Sequence, residues 1–147
     1  MTAASELYQA LIVEHDRHPR HHGPLPGANR EATVDNPMCG DVVTVRLIVD
    51  AGVVREIAFD GHGCALSRAA ASLMTERVCG MRTDDVAALT ASIDALVTGP
   101  PDAPIDANLG DLAALAGVRR FKSRRTCATL PFRALAAAVK LPQVDHK

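Results

Sequence analysis

The chain has 147 residues, 48% of them apolar and only 3% aromatic, with 16 basic and 17 acidic side chains for a formal charge of −1. That length and apolar content read as a single domain, 1–147, with a core built mostly from Ala, Val, Leu and Ile, and they exclude global disorder. The balanced charge gives no footing for nucleic acid or an anionic membrane, and no apolar run approaches the ~20 residues of a membrane span.

The opening segment, 1–6, has no basic stretch leading into an apolar one. No secretory signal is expected, and the compartment read from the sequence is cytoplasmic. Residues 5–18 read as a helix: Leu7, Tyr8, Leu11, Ile12 and His15 recur on one face, and Pro19 stops it. His15, His18, His21 and His22 crowd the helix end and the Pro- and Gly-rich segment that runs to about Pro26. Their spacing matches no metal-ligand pattern, so they read as a solvated loop.

A short strand is expected at 32–34 and a clearer one at 42–49, with Val43, Val45, Leu47 and Val49 on one face and Thr44, Arg46 and Asp50 on the other. Asp50-Ala51-Gly52 is a tight turn, and 53–59 returns with Val53, Ile57 and Phe59 on one face. The pair reads as an antiparallel hairpin. Leu66, Ala69, Ala70, Leu73 and Met74 then follow helical spacing up to Gly80. Thr83 is placed to cap a further helix, with Asp84 and Asp85 in its first turn and Val86, Leu89, Ile93 and Leu96 as its apolar face. Residues 99–104 are a Pro-rich loop and 112–115 a short helical turn. A last helix, 126–140, turns Leu130 and Leu135 inward and holds Pro131 in its first turn. The expected fold is α+β: a small antiparallel sheet of about three strands packed against helices on one side.

Three cysteines carry special local motifs: Asn36-Pro37-Met38-Cys39-Gly40-Asp41, Gly61-His62-Gly63-Cys64-Ala65-Leu66-Ser67 and Arg125-Thr126-Cys127-Ala128-Thr129-Leu130. The hairpin brings Cys39 and Asp41, at the entrance of its first strand, to the same edge as Cys64, just past the exit of its second. Cys64 and Cys127 both fall near a helix start, where the partial positive charge favours thiolate. In a reducing compartment such cysteines point to metal binding rather than to disulfides. Three thiolates and one carboxylate suit a tetrahedral zinc ion and, equally, an iron–sulfur centre. Cys79 differs: it closes a helix before Gly80 and reads as a small buried apolar residue.

These motifs, with Ala71-Ser72 after the second and the stretch from Leu7-Tyr8 through His15 to His18-Pro19-Arg20, carry a resemblance. The chain resembles the SufU-type proteins within the IscU-like iron–sulfur cluster assembly family, whose fold is IscU/NifU-N-like. The resemblance implies metal ligation by Cys39, Asp41, Cys64 and Cys127. IscU-type scaffolds place a histidine just before the last cysteine and carry a Leu-Pro-Pro-Val-Lys motif; here Thr126 precedes Cys127 and that motif is absent. Residues 81–119 read as the helix-and-loop insertion of SufU-type proteins. Arg124, with Arg125 beside it, best matches the arginine those proteins place close before the last cysteine.

What the resemblance implies is zinc-dependent sulfur transfer. A SufS-type cysteine desulfurase, a pyridoxal phosphate enzyme, leaves a persulfide on its own cysteine. Cys39 accepts that sulfur after a desulfurase histidine replaces it on zinc, and a downstream iron–sulfur assembly scaffold receives it. Arg124 would act beside the ligands, or else belong to a solvated basic stretch with Arg119, Arg120 and Lys122. Two other readings stay open: a scaffold that builds a cluster on the same cysteines, and a structural zinc domain without chemistry.

Overall fold

The alternation read in 42–49 is what folds. Asp41, Val43, Val45 and Leu47 are buried, while Val42, Thr44 and Arg46 lie half-buried on the other face. In the computed structural model, which describes residues 3–38 and 40–140, they belong to the central strand of a three-stranded antiparallel sheet. The strands are β1 (Arg30–Asn36), β2 (Asp41–Asp50) and β3 (Val53–His62), paired in that order. Cys39 lies outside the described residues.

β1 is longer than expected because Asn29 extends its pairing. The Asn29 N–H donates to Leu47 O, and its side-chain amide donates to Val49 O at 2.8 Å and accepts from Val49 N–H at 2.9 Å. The β2–β3 turn has Ala51 and Gly52 at φ 52° and 74°. That left-handed pair gives the twist a two-residue hairpin needs. One expectation fails within the hairpin: Val54, not Val53, is buried. Ile48 pairs with Glu56 and Val49 with Val54, so Arg55 is an extra residue that bulges out and shifts the alternation by one.

Helices α1 (Ala3–Arg17), α2 (Ala65–Val78), α3 (Val86–Thr98) and α4 (Arg125–Lys140) supply the other layer. α4 packs on β1 and β2, α2 and α3 pack on α4, and α1 packs on α2. Val45, Leu47, Met74, Ile93, Leu115, Leu130 and Leu135 are fully buried between them. The fold is α+β, as the apolar patterning requires. Among the described residues no helix is long and apolar enough to cross a membrane.

Several local readings change. Thr83 does not cap a helix with its side chain. It lies in a 3-10 turn before α3, and its N–H and hydroxyl both donate to Gly52 O, at 2.9 and 3.4 Å. The short turn expected at 112–115 extends into 3-10 turns over Ala107–Arg120, broken at Gly110 (φ 58°, ψ −132°). Arg119 is buried there and fastens the loop after α3, donating to Leu96 O at 2.6 Å and Ala103 O at 2.8 Å. Pro131 is the seventh residue of α4, inside the helix rather than in its first turn.

The histidine cluster divides. His18, His21 and His22 are exposed as expected, but His15 is buried. Its Nδ1 lies 2.7 Å from Ser72 Oγ and its Nε2 3.5 Å from Glu76 Oε1. The segment after it runs along the outer edge of β3: Phe59 N–H donates to His21 O and Gly23 N–H to Phe59 O. It thereby covers backbone groups that an edge strand would otherwise present for pairing. Cys79 is exposed, not buried, with its thiol 3.6 Å from Arg55 O. Its helix ends at the surface, so the side chain never reaches the core.

Candidate metal centre

Antiparallel pairing places the start of β2 opposite the end of β3, Val42 against His62 and Val43 against Gly61. The chain leaving β3 therefore turns back over Asp41. Two glycines make that passage sterically feasible. A Cβ on Gly61 (φ 139°) would lie 2.0 Å from Val42 O, and one on Gly63 would lie 2.2 Å from Ser67 Oγ and 3.5 Å from Asp41 Cγ. The Gly-His-Gly run before Cys64 is thus a packing requirement as well as a motif.

Cys64 is the N-cap of α2, in extended backbone (φ −69°, ψ 168°). Its N–H donates to Asp41 Oδ1 at 3.2 Å, and its thiol lies 3.6 Å from Oδ2. Its carbonyl accepts from Arg68 N–H at 3.1 Å and from the Ser67 hydroxyl at 3.2 Å. Cys127, the third residue of α4, is 3% exposed and reaches the same point because α4 packs against both β2 and α2. The ligand atoms of Asp41, Cys64 and Cys127 all lie within 4.8 Å of one another. Among the described residues no other set of three His, Cys, Asp or Glu side chains converges in this way.

The donor set fits a tetrahedral ion. A sulfur ~2.3 Å and an oxygen ~2.1 Å from one zinc, at the tetrahedral angle, stand about 3.6 Å apart. Cys64 Sγ and Asp41 Oδ2 are separated by that distance, 3.6 Å. Burial and the crowding of acidic groups also make charge on a bare thiol costly here. Burial first, then Cys64 and Asp41, push the Cys127 thiol up to about 12. Arg124, exposed at the N-terminal approach to α4, is held above its usual range by Cys64 and by hydrogen bonding to Cys127. It therefore lies within electrostatic reach of both thiols. The same donors suit an iron–sulfur centre.

Cys39 lies outside the described residues, and its sequence neighbours are described. Met38 N–H donates to Asn36 Oδ1 at 3.1 Å and Gly40 N–H to Asn36 O at 2.8 Å. Gly40 has φ 78°, and Met38 is 92% exposed. Cys79 and the four histidines do not join the described group.

Two residues escaped the sequence reading. Ser67 follows Cys64 by three residues, yet only the folded helix start shows its hydroxyl bound to the Cys64 carbonyl. Tyr8 reads as part of an apolar helix face. Its phenol is pushed up by burial, pulled down by Arg124 and pushed up by Cys64, so it lies within electrostatic reach of both groups. The ring lies against Gly117, where a Cβ would come within 2.3 Å of it. The one available signal was a polar tip on an otherwise apolar stripe.

The profile of the family described as NifU-like N terminal domain matches residues 7–128. The chain is 36% identical over 140 residues to the iron-sulfur cluster assembly scaffold protein IscU of Streptococcus pyogenes serotype M1, covering 95% of this chain and 87% of that protein. It is 36% identical over 136 residues to the zinc-dependent sulfurtransferase SufU of Bacillus subtilis (strain 168), covering 90% and 89%. Among solved structures, it is similar to a putative iron-sulfur cluster assembly scaffold protein for the SUF system from Fervidobacterium islandicum AW-1, with TM-score 0.83, 26% identity and coverage of 92% and 98%. A nitrogen-fixing NifU-like protein (N-terminal) from Brucella abortus gives TM-score 0.80 at 29% identity, covering 95% and 96%. Fold, motif order and these relatives agree, and the chain belongs to the NifU-like N-terminal domain family.

Proposed function

We propose that this chain binds zinc through Cys39, Asp41, Cys64 and Cys127 and accepts persulfide sulfur on Cys39 from a SufS-type cysteine desulfurase. The sulfur then passes to a downstream scaffold for iron–sulfur cluster assembly in the cytoplasm. The observation that carries this reading is the convergence of one carboxylate and two thiols within 4.8 Å, with a third cysteine two residues before the carboxylate in the sequence. The likeness to a relative named a zinc-dependent sulfurtransferase supports it.

Zinc held there would supply a redox-inert positive charge that keeps the thiols deprotonated. The chain's own residues do the rest. The Cys64 amide orients Asp41. The Cys39 thiolate attacks the outer sulfur of the desulfurase persulfide; a new S–S bond forms on Cys39 as the bond to the desulfurase cysteine breaks, and that cysteine leaves as a thiolate. Arg124, beside Cys64 and Cys127, offsets negative charge at the site. Exposed Phe121, Arg120 and Lys122 precede it in the chain and give the approach an apolar and basic character suited to a protein partner.

A scaffold role on the same donors is the second reading, favoured by the relative from Streptococcus pyogenes. A structural zinc domain is third; a carboxylate donor is unusual in closed structural sites. Metal analysis of protein purified without air should find one zinc per chain. Incubation with cysteine and a SufS-type desulfurase should then add one sulfur, about 32 Da, to the peptide carrying Cys39, and Cys39→Ser should accept none. Bound iron with sulfide, or sulfur mapped to Cys64, Cys79 or Cys127, overturns the proposal.

A further inference from the structure

Cys64 and Cys127 both sit near a helix start, but they are mounted differently. Cys64 is fixed on both sides of its peptide unit: its N–H donates to Asp41, and its carbonyl accepts from Arg68 N–H and the Ser67 hydroxyl. In α4 the residue four positions after Cys127 is Pro131, which is buried within the helix. Proline has no N–H, so it cannot give the Cys127 carbonyl its helical hydrogen bond, and its ring crowds that same carbonyl. It also disfavours helical backbone at Leu130, the residue before it. Ala128 and Leu130 before Pro131 are as fully buried as Ala134, Leu135 and Ala138 after it, so packing holds both parts of the helix. What differs is the bond lost at the Cys127 carbonyl, and the disturbance falls there, on the turn that carries the thiol.

We infer that Pro131 makes the first turn of α4 a compliant mount for Cys127, able to shift that thiol relative to the fixed pair of Asp41 and Cys64. Pro131 is a positioning residue. It lets the site change shape when one ligand is exchanged, without disturbing the packed body of α4. The inference rests on the reading of Cys127 as a metal ligand.

The test is the full-length Pro131→Ala chain, which regains the missing donor. Two measurements are made beside the natural chain: the rate at which zinc-loaded protein gives up its metal to an excess of chromogenic chelator, and amide hydrogen exchange across 125–130. Restoring the bond should slow zinc release severalfold, up to about tenfold, the effect of one net hydrogen bond. It should also raise amide protection in 125–130 while leaving α2 unchanged. Ser67→Ala, which loosens the other mount, should speed release. If Pro131→Ala folds, binds one zinc and matches the natural chain in both measurements, the inference is wrong. If Pro131→Ala loses stability because its small side chain leaves a gap, Pro131→Val refills the site, restores the donor and must show the same slowing. Failure of the natural chain itself to hold zinc would instead strike the proposed function, so the two failures are distinguishable.

Discussion

At the scale of single residues, the Cys127 thiol shows how the fold prepares the site. Burial and the neighbouring Cys64 and Asp41 lift it to about 12, well above the ordinary thiol range. The sign follows from linkage. The metal-free fold favours the protonated thiol, so this contribution to stability is complete below about pH 9 and is lost as pH rises through about 12. Zinc bound by Cys127 near neutral pH would have to displace that proton. Apparent zinc affinity, measured by chelator competition between about pH 6.5 and 8.5, should therefore rise by about tenfold per pH unit for each thiol proton released. A flat profile would show that Cys127 is not a ligand. Cysteine types and their order were legible in the sequence. The asymmetry between Cys64 and Cys127 was not, because it depends on which backbone donors surround each carbonyl.

At the scale of elements, α1 is latched to α2 through His15. The ring is packed out of solvent, with Nδ1 on Ser72 Oγ, which also accepts Arg20 N–H at 2.8 Å. Burial, then Arg20, lower its pKa below the ordinary value, while Glu76, Asp111 and Glu14 pull the other way. A depressed folded pKa means that the unfolded chain takes up the proton first. The latch is whole above about pH 6.5 and weakens as pH falls below it. Thermal unfolding should thus show a larger loss of stability from pH 7.5 to 5.5 in the natural chain than in His15→Gln, which keeps a hydrogen-bonding side chain but cannot titrate. Equal losses would remove His15 from the latch. The helical spacing of Leu11, Ile12 and His15 already turned this histidine toward the apolar face, but its sequence neighbours His18, His21 and His22 masked that signal. Val54 was hidden in the same way, because the Arg55 bulge moves the alternation by one residue.

At the scale of the whole molecule, Asp41, Cys64 and Cys127 come from the first residue of β2, the N-cap of α2 and the first turn of α4. An ion held there would tie the sheet to two helices distant in sequence, and its binding would add to folding stability. At zinc about 1,000-fold over its dissociation constant the gain is about 4 kcal/mol, or about 10 °C in Tm for a domain of this size. Calorimetry before and after chelation should show that drop in one cooperative transition, and Cys64→Ser should melt at the metal-free temperature with or without zinc. Separate transitions for 81–119 and the remainder would divide the chain into more than the single domain its length suggests.

The α+β class, the hairpin, the faces of α2 and α3 and the three cysteine motifs are all legible in the order of amino acids. Those follow from periodicities of two and 3.6 residues and from local turn chemistry, all contained in short windows of the chain. Packing between distant elements brings Cys127 to Asp41 and Cys64, sets Tyr8 within electrostatic reach of Arg124, and closes His15 onto Ser72. Each of those joins side chains from elements far apart along the chain. Their meeting is fixed by how apolar faces pack, α4 on β2 and α1 on α2, and no local pattern encodes that choice.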